Sequence, residues 1–362
     1  MAGMSFRPDI DELAAGVARN CLIADARRWG HFSLCGLLLR LRELYKREAG
    51  LEPWARVETA AVLPWVGERE ALWEQLEETP LEPLRLGGQT IDPLDEDGVN
   101  ALLPAGWLYV AGHGPGGHPL FVLGESVERR DLGGVELFVL DRELAHDLVP
   151  VPAMCRPGRV VARRAAALGH LWATLEEGAA APDPGAAADA LLEAGGSLSA
   201  VIADPASHTG LLAALADRQV EAAVLHELGE LAEDRRGGGR WEALVLRTAG
   251  TRSEFLARAI KDALADAGDG GQLQALIARR DRIPLALRAA SGLWLDRKIL
   301  PEARAIWLAA RSGGWDEAEA LRRAAADRLE SYRERLLTLF DDDPTHAEAA
   351  RRAEAFEREL TG

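Results

Sequence analysis

The residues best placed for chemistry are His226, Glu227 and Glu230 in the segment His-Glu-Leu-Gly-Glu. Positions four apart on a helix lie on one face, so the His226 imidazole and the Glu230 carboxylate can approach the same ion. Glu227 lies at the edge of that face. Imidazoles and carboxylates are ligands of divalent metals and also act as general acids and bases. The sequence therefore predicts a divalent-metal or acid–base site on this helix, and it does not decide whether the protein is an enzyme.

A solvated helix face is the alternative to such a site. The apolar stripe of this helix falls on the opposite side of the helical wheel from His226 and Glu230. Its members are Val220, Val224, Leu225, Leu228, Leu231 and Ala232. Because the polar face of a surface helix is normally solvated, a site requires a second element that covers it. Gly229 costs roughly 1 kcal/mol in a helix interior relative to alanine, and it permits another backbone to approach closely.

A later helix supplies further charged groups. Asp262 lies near the edge of its apolar stripe and is the better candidate ligand, while Lys261 is a supporting charge. Thr251 and Glu254 instead form a capping-box pattern, in which the glutamate returns to the amide of the N-cap residue. The sequence thus adds Asp262 to the candidate metal ligands and Lys261 to the supporting polar residues.

Three polar residues, Asn20, Asp25 and Arg27, stand beside the apolar stripe of the first predicted helix. Buried polar groups need partners, and the candidates are one another or Lys46 on the next helix. We interpret these four residues as supporting polar groups that pair with one another or help to cover the site.

Three spaced glycines, Gly112, Gly114 and Gly117, match the spacing of a dinucleotide-binding turn. That turn binds pyrophosphate only when a strand precedes it and a helix follows it. Here the next segment is the apolar run 119–123, which is typical of a strand. The sequence therefore predicts a hairpin turn and no organic cofactor site, so a divalent metal is the one cofactor that it suggests.

Short apolar runs bounded by glycine predict strands at 107–111, 119–123 and 135–140. The first two runs flank the glycine-rich turn and are expected to form a hairpin. Residues 141–147 are expected to form a short helix.

Helical periodicity dominates the remainder of the chain, including two helices within residues 9–48 and almost everything after residue 163. Strands and helices fall into separate blocks, which argues against a doubly wound sheet. We therefore predict a mostly α protein with an N-terminal α+β domain at 1–165, which contains a small antiparallel sheet. An all-helical domain is expected to follow at 166–362.

The chain of 362 residues is acidic, with a formal net charge of −16. Most of its surface would repel polyphosphate and anionic lipids, so we expect neither a nucleic-acid nor a membrane partner. No apolar run approaches the roughly 20 residues of a spanning helix. The three widely spaced cysteines favour reduced thiols and a cytoplasmic location. The ten tryptophans suit packing and interfaces, which leaves a protein partner or self-association open.

Two groups of residues together resemble a known family. The first group is Asn20-Cys21, Asp25-Ala26-Arg27, Ser33-Leu34-Cys35-Gly36, Tyr45-Lys46 and Pro53-Trp54. The second group is the segment His226 to Glu230, followed by Lys261 and Asp262. The sequence resembles, over most of its length, a family of uncharacterised bacterial proteins of unknown function. The resemblance implies no activity, cofactor or substrate.

Two functions stay open at this point. In the first, the C-terminal helical domain holds a metal or acid–base site around His226, Glu227 and Glu230. In the second, the protein is a non-catalytic cytosolic scaffold whose acidic helical surface binds another protein. The two differ in whether the protein binds metal through His226 and Glu230.

Overall fold

A computed structural model gives the fold of the chain. The residues that the structure describes are 10–31, 34–114, 117–237, 239–248, 251–292, 294–340 and 345–361. The chain packs as two compact units. Unit 1 comprises Met1–Val151 and Arg163–Gly169, and unit 2 comprises Pro152–Ala162 and His170–Gly362. Within the described ranges, no helix combines the length and the apolarity needed to cross a membrane.

Unit 1 combines helices with antiparallel strands. Its elements are α1 (Ile10–Ala26), α2 (Leu34–Glu48), α3 (Thr59–Leu76), β1 (Leu84–Leu86), β2 (Gln89–Ile91), α4 (Glu96–Leu102), β3 (Trp107–His113), β4 (Pro119–Asp131) and β5 (Glu136–His146). β1 pairs with β2, and β3, β4 and β5 form an antiparallel meander. α1 packs against β1, β4 and β5 and buries Leu13 and Val17 in the core of the unit.

The three predicted strands are confirmed, and each is longer than its apolar run. β3 and β4 form the predicted hairpin across the glycine turn, of which residues 115–116 lie outside the described ranges. The short helix predicted at 141–147 is wrong, because β5 continues to His146. Leu123 of β4 pairs with Ala145 of β5, so cross-strand pairing overrides the local helix preference of this segment.

Unit 2 contains one hairpin and is otherwise helical in the described residues. Its elements are β6 (Ala153–Arg156), β7 (Arg159–Arg163), α5 (Arg164–Ala180), α6 (Gly185–Glu193), α7 (Leu198–Ala203), α8 (Thr209–Gly237), α9 (Arg240–Arg247), α10 (Arg252–Ala267), α11 (Gln272–Ala278), α12 (Arg282–Ala290), α13 (Trp294–Ile299), α14 (Glu302–Arg311), α15 (Trp315–Thr338) and α16 (His346–Thr361). β7 and α5 include residues of unit 1. The predicted fold class, an N-terminal α+β region followed by an all-helical part, is confirmed.

α8 is covered on more than one side, since it packs against α10, α11 and β6. Gly229 of α8 lies directly against the backbone of α10 at Ala265. A β-carbon at this position would lie 2.1 Å from the carbonyl oxygen of Ala265, which is well inside van der Waals contact. The lack of a side chain at Gly229 therefore allows the two helices to pack as they do.

Gly229→Ala is expected to destabilise the protein by about 1–3 kcal/mol, because the new methyl group overlaps the Ala265 carbonyl and forces the helices apart. The free energy of unfolding from urea titration measures this loss. Gly210→Ala in the same helix is the control, because nothing lies within 4 Å of its β-carbon position. The control should match or slightly exceed wild-type stability. Equal effects of the two substitutions would contradict the close approach.

Glu143 of β5 forms a buried ion pair with Arg163 within unit 1. Arg163 donates from Nε and Nη2 to the Glu143 carboxylate at 2.9 and 2.7 Å. Arg47 adds a third bond to the same carboxylate at 2.5 Å. The side chains of Arg163 and Glu143 are 0% and 3% exposed. Burial by itself would raise the pKa of Glu143, but the charges of Arg163 and Arg47 outweigh it and lower the pKa to about 2.

Glu143→Gln should cost about 3 kcal/mol or more at neutral pH, because it leaves the buried Arg163 without a counter-charge. The pKa of Glu143 is lower in the folded than in the unfolded protein, where it is about 4.3. Its carboxylate therefore stabilises the fold above about pH 4.3, and this contribution is lost as the pH falls toward the folded pKa. The stability gap between wild type and variant should shrink from about pH 5 to about pH 2, as measured by chemical denaturation.

Glu136→Gln is the matched control for this substitution. Glu136 lies on the same strand and pairs with Arg129 at the surface, where the two side chains are 46% and 66% exposed. Exposed pairs contribute little, so this variant should differ from wild type by less than about 1 kcal/mol. A Glu143→Gln penalty that stays constant across the acid range would show that the ion pair is not the source of the stability.

Candidate functional site

The candidate site lies in unit 2, where α8 and α10 each contribute a pair of residues that are four positions apart in sequence. His226 and Glu230 come from α8, and Asp262 and Asp266 come from α10. His226 Nδ1 lies 2.8 Å from Asp266 Oδ1, and His226 Nε2 lies 3.3 Å from Glu230 Oε1. One ligand atom from each of His226, Glu230 and Asp262 lies within 4.8 Å of the other two. The structure thus gathers three of the four predicted metal ligands.

Asp266 fixes the orientation of the His226 ring. Its carboxylate is 3% exposed, bonds His226 Nδ1 through one oxygen and accepts from Arg288 Nε of α12 through the other at 2.5 Å. Burial by itself would raise the pKa of Asp266, but Arg288 and His226 outweigh it and lower the pKa. Because Asp266 is ionised, it holds a hydrogen on Nδ1 and leaves Nε2 as the atom that can bind a metal.

The protonation of His226 also follows from its neighbours. Burial by itself would lower the pKa of His226, but Asp266 and then Glu230 raise it well above its usual range. In the metal-free protein the ring is therefore an imidazolium that bonds both carboxylates. A metal at Nε2 would replace the proton there, so metal binding would release a proton.

Glu230 is shared between His226 and Lys261. Its Oε2 accepts from Lys261 Nζ at 3.1 Å, and the same ammonium lies 3.0 Å from Asp234 Oδ1. Burial by itself would raise the pKa of Glu230, but the hydrogen bond from His226 and the charge of Lys261 lower it to about 2. Glu230 is therefore a carboxylate, with Oε1 facing the imidazole and Oε2 held by the ammonium.

Asp262 differs from the other acidic residues of the group. Among the described residues, none forms a hydrogen bond or a salt bridge with its carboxylate. Burial is the largest cause that raises the pKa of Asp262 to about 7; His226 opposes it, and Glu230 and Asp266 add to it. The Asp262 carboxyl therefore lies beside two other carboxylates, and the nearby charge of His226 only partly offsets them.

Glu227 lies outside the group of three converging ligands. Its backbone carbonyl accepts from the Cys155 thiol of β6 at 3.2 Å. Burial, followed by the charge of Glu230, raises the pKa of Glu227. Burial likewise raises the pKa of the Cys155 thiol, so Cys155 is a thiol at neutral pH. The β6 hairpin therefore covers the Glu227 side of α8.

Two predicted supporting residues, Asn20 and Asp25, bond to backbone groups within unit 1. The Asn20 amide donates to the Glu82 carbonyl and accepts from the Glu82 N–H, both at 2.8 Å. Asp25 Oδ1 accepts from the Leu148 N–H at 3.0 Å. Both side chains are buried on α1, so they satisfy loop backbone that would otherwise lack partners.

Arg27 and Lys46 likewise bond to backbone carbonyls of unit 1. Arg27 Nη2 donates to the Thr79 carbonyl at 2.5 Å, and Lys46 Nζ donates to the Pro53 carbonyl. The predicted pairing of the four residues with one another is therefore wrong. Carbonyl and amide groups of the connecting loops take that role, because buried backbone groups also need partners.

The capping box predicted at the start of α10 needs a correction. Thr251 is the N-cap residue, but its side chain makes no capping hydrogen bond. Its hydroxyl donates instead to the Thr248 carbonyl at 2.6 Å. α9 ends only a few residues earlier, at Arg247, and the carbonyls at a helix end accept such bonds. Glu254 accepts from Arg258 on the next turn at 2.8 Å.

Sequence reasoning missed two residues of the group. Asp266 follows Asp262 by four positions, as Glu230 follows His226, so the repeated spacing could have revealed it. Arg288 gave no such indication, because its contact with Asp266 depends on how α12 packs.

Family comparison covers nearly the whole chain. Residues 12–163 match the model described as Family of unknown function (DUF6866) N-terminal domain. Residues 169–359, which include the group around His226, match the C-terminal domain of the same family. No curated protein and no solved structure matches the chain. The chain therefore belongs to the family of unknown function DUF6866.

Proposed function

We propose that this protein binds one divalent metal ion through His226 Nε2, Glu230 and Asp262. One ligand atom from each of these three residues lies within 4.8 Å of the other two. Two ligands of one ion, each about 2.0–2.2 Å from it, lie at most about 4.4 Å apart. Small rotations of the side chains would therefore bring all three to one ion. A neutral imidazole with two carboxylates also balances the charge of a divalent cation.

The main support for the proposal is that Asp262 forms no hydrogen bond or salt bridge with a described residue. Buried and partly buried polar groups normally have hydrogen-bond or ion-pair partners. Lys261 pairs with Glu230 and Arg288 pairs with Asp266, whereas no described residue forms a hydrogen bond or a salt bridge with Asp262. A carboxylate that lacks a partner beside two other carboxylates is expected where a cation binds, because the cation supplies the counter-charge.

The surrounding residues support this role. Asp266, anchored by Arg288, holds the tautomer that leaves Nε2 as a ligand. Lys261 occupies one oxygen of Glu230 and leaves the other facing His226. One imidazole with two carboxylates suits Mn²⁺, Fe²⁺ or Zn²⁺. A metal with three protein ligands keeps positions for water or substrate, and it supplies Lewis acidity or, for iron and manganese, redox chemistry.

The proposal also includes a cytoplasmic location and, as partner, another protein or a second copy of this chain. Free thiols at Cys21 and Cys155 support a reducing compartment. The formal net charge of −16 supports a function without nucleic acid or anionic membranes.

Full-length protein that has been dialysed against EDTA should bind one equivalent of Mn²⁺ or Zn²⁺ by isothermal titration calorimetry. Asp262→Asn should weaken binding about a hundredfold or more, since even the loss of an outer partner costs roughly 10–100-fold. The metal-free Tm should change little, because no described residue forms a hydrogen bond or a salt bridge with Asp262 and its neighbours both attract and repel it.

Asp217→Asn is the control for this variant, since Asp217 is an exposed acidic residue of the same helix. It should bind metal as the wild type does. If wild-type protein binds neither ion, or if Asp262→Asn binds as tightly as wild type, the group is a salt-bridge network. A scaffold function would then be the better interpretation.

Asp266→Asn tests the orientation of the imidazole separately from ligation. It should lower the metal affinity roughly 10–100-fold while the stoichiometry stays at one, because Asp266 holds the ring and not the ion. His226→Ala should abolish binding at the same concentrations. An Asp266→Asn affinity equal to that of wild type would show that the hydrogen bond to Nδ1 does not orient His226.

A further inference from the structure

A cleft of about 530 Å³ lies in unit 2 and is lined by residues of α5, α6, α12, α13 and α14. Three arginines line it, Arg288, Arg297 and Arg304, against two carboxylates, Glu177 and Asp183. Three guanidinium groups thus converge on one cleft in a chain whose formal net charge is −16, although each of them also has a carboxylate nearby. We propose that the cleft binds a small molecule that carries a phosphate group.

Arg288 is the most enclosed of the three arginines. Its side chain is 20% exposed, and its Nε is bonded to Asp266 at 2.5 Å. Among the described residues, no other group bonds its guanidinium. Its remaining N–H donors form no hydrogen bond with a described residue, although the charges of Asp296 and Asp262 also act on this guanidinium. A guanidinium held in place by one carboxylate is suited to bind phosphate oxygens with its other edge.

Arg297 and Arg304 form only weak pairs across the cleft. Arg297 lies 3.9 Å from Glu177, and Arg304 lies 3.1 Å from Asp183. The four side chains are between 59% and 68% exposed. Exposed pairs of this kind contribute little, so a dianion that contacts both arginines can displace the two carboxylates.

Two helix starts add to the positive potential of the cleft. The first turns of α6 and α14 line it, and the N-cap residues Pro184 and Pro301 provide no side-chain cap. Asp183 accepts the Gly185 N–H at 3.1 Å, so a phosphate at the start of α6 would take the place of this carboxylate. The positive ends of helix dipoles favour phosphate.

The size and walls of the cleft indicate more than inorganic phosphate. Sites for small molecules usually measure about 300–1,000 Å³, and this cleft falls in that range. Its remaining walls are mostly small and apolar. They include Gly178, Ala181, Ala186, Ala289, Ala290 and Ala303. An organic group attached to the phosphate can therefore lie against them.

Isothermal titration calorimetry tests the cleft with EDTA-dialysed full-length protein, titrated with inorganic phosphate, glycerol 3-phosphate and acetate. We expect both phosphates to bind, and acetate to bind at least tenfold more weakly. The double variant Arg297→Gln/Arg304→Gln should weaken phosphate binding at least tenfold, which corresponds to about 1.4 kcal/mol. Arg311→Gln is the control, since Arg311 lies on α14 with 58% exposure and does not line the cleft.

Tighter binding of glycerol 3-phosphate identifies a phosphate ester as the ligand, and equal or tighter binding of inorganic phosphate identifies the free anion. Both results support the cleft as a phosphate site. The absence of phosphate binding by wild type, or a double variant that binds as tightly as wild type, overturns it. Because the protein is free of metal in this experiment, the outcome is independent of metal binding at His226.

Discussion

The close approach of α8 and α10 at Gly229 is the constraint on which the candidate site depends. A β-carbon at Gly229 would lie 2.1 Å from the Ala265 carbonyl oxygen, so only glycine lets the helices meet there. Each helix carries a pair of residues spaced by four beside this contact. The approach places His226 Nδ1 2.8 Å from Asp266, and it gathers the ligand atoms of His226, Glu230 and Asp262 within 4.8 Å. The candidate site therefore depends on the packing of α8 against α10.

The α8 part of the group could be predicted from sequence, because the spacing of His226 and Glu230 is a local property of a helix. Whether that face is covered is not a local property. The helical wheel assigns the face opposite the apolar stripe to solvent, but α8 contacts α10, α11 and β6. Burial of an alanine-rich helix on several sides leaves little contrast between its faces. The contact between Arg288 and Asp266 could not be predicted for a similar reason, because it depends on how α12 packs.

The fold class could be predicted because strands and helices occupy separate blocks of the sequence. The errors arise where contacts between distant segments decide the outcome. Residues 141–147 contain good helix formers, yet pairing with β4 extends β5 to His146. Asn20 and Asp25 were recognised as polar groups that need partners. Their actual partners, the backbone groups of Glu82 and Leu148, are distant in sequence and carry no side-chain pattern.

The buried ion pair of Glu143 and the partly buried group around His226 differ in how their carboxylates are neutralised. Glu143 is held by two guanidinium groups, so its arrangement is complete as a structural ion pair. Asp262 lies beside Glu230 and Asp266, and no described residue forms a hydrogen bond or a salt bridge with it. The charges of Glu230 and Asp266 disfavour its ionised form. Departures of this kind from the rules of stable packing are expected at functional sites. The proposed divalent cation would account for the arrangement, because Asp262, Glu230 and His226 would all be attracted to it.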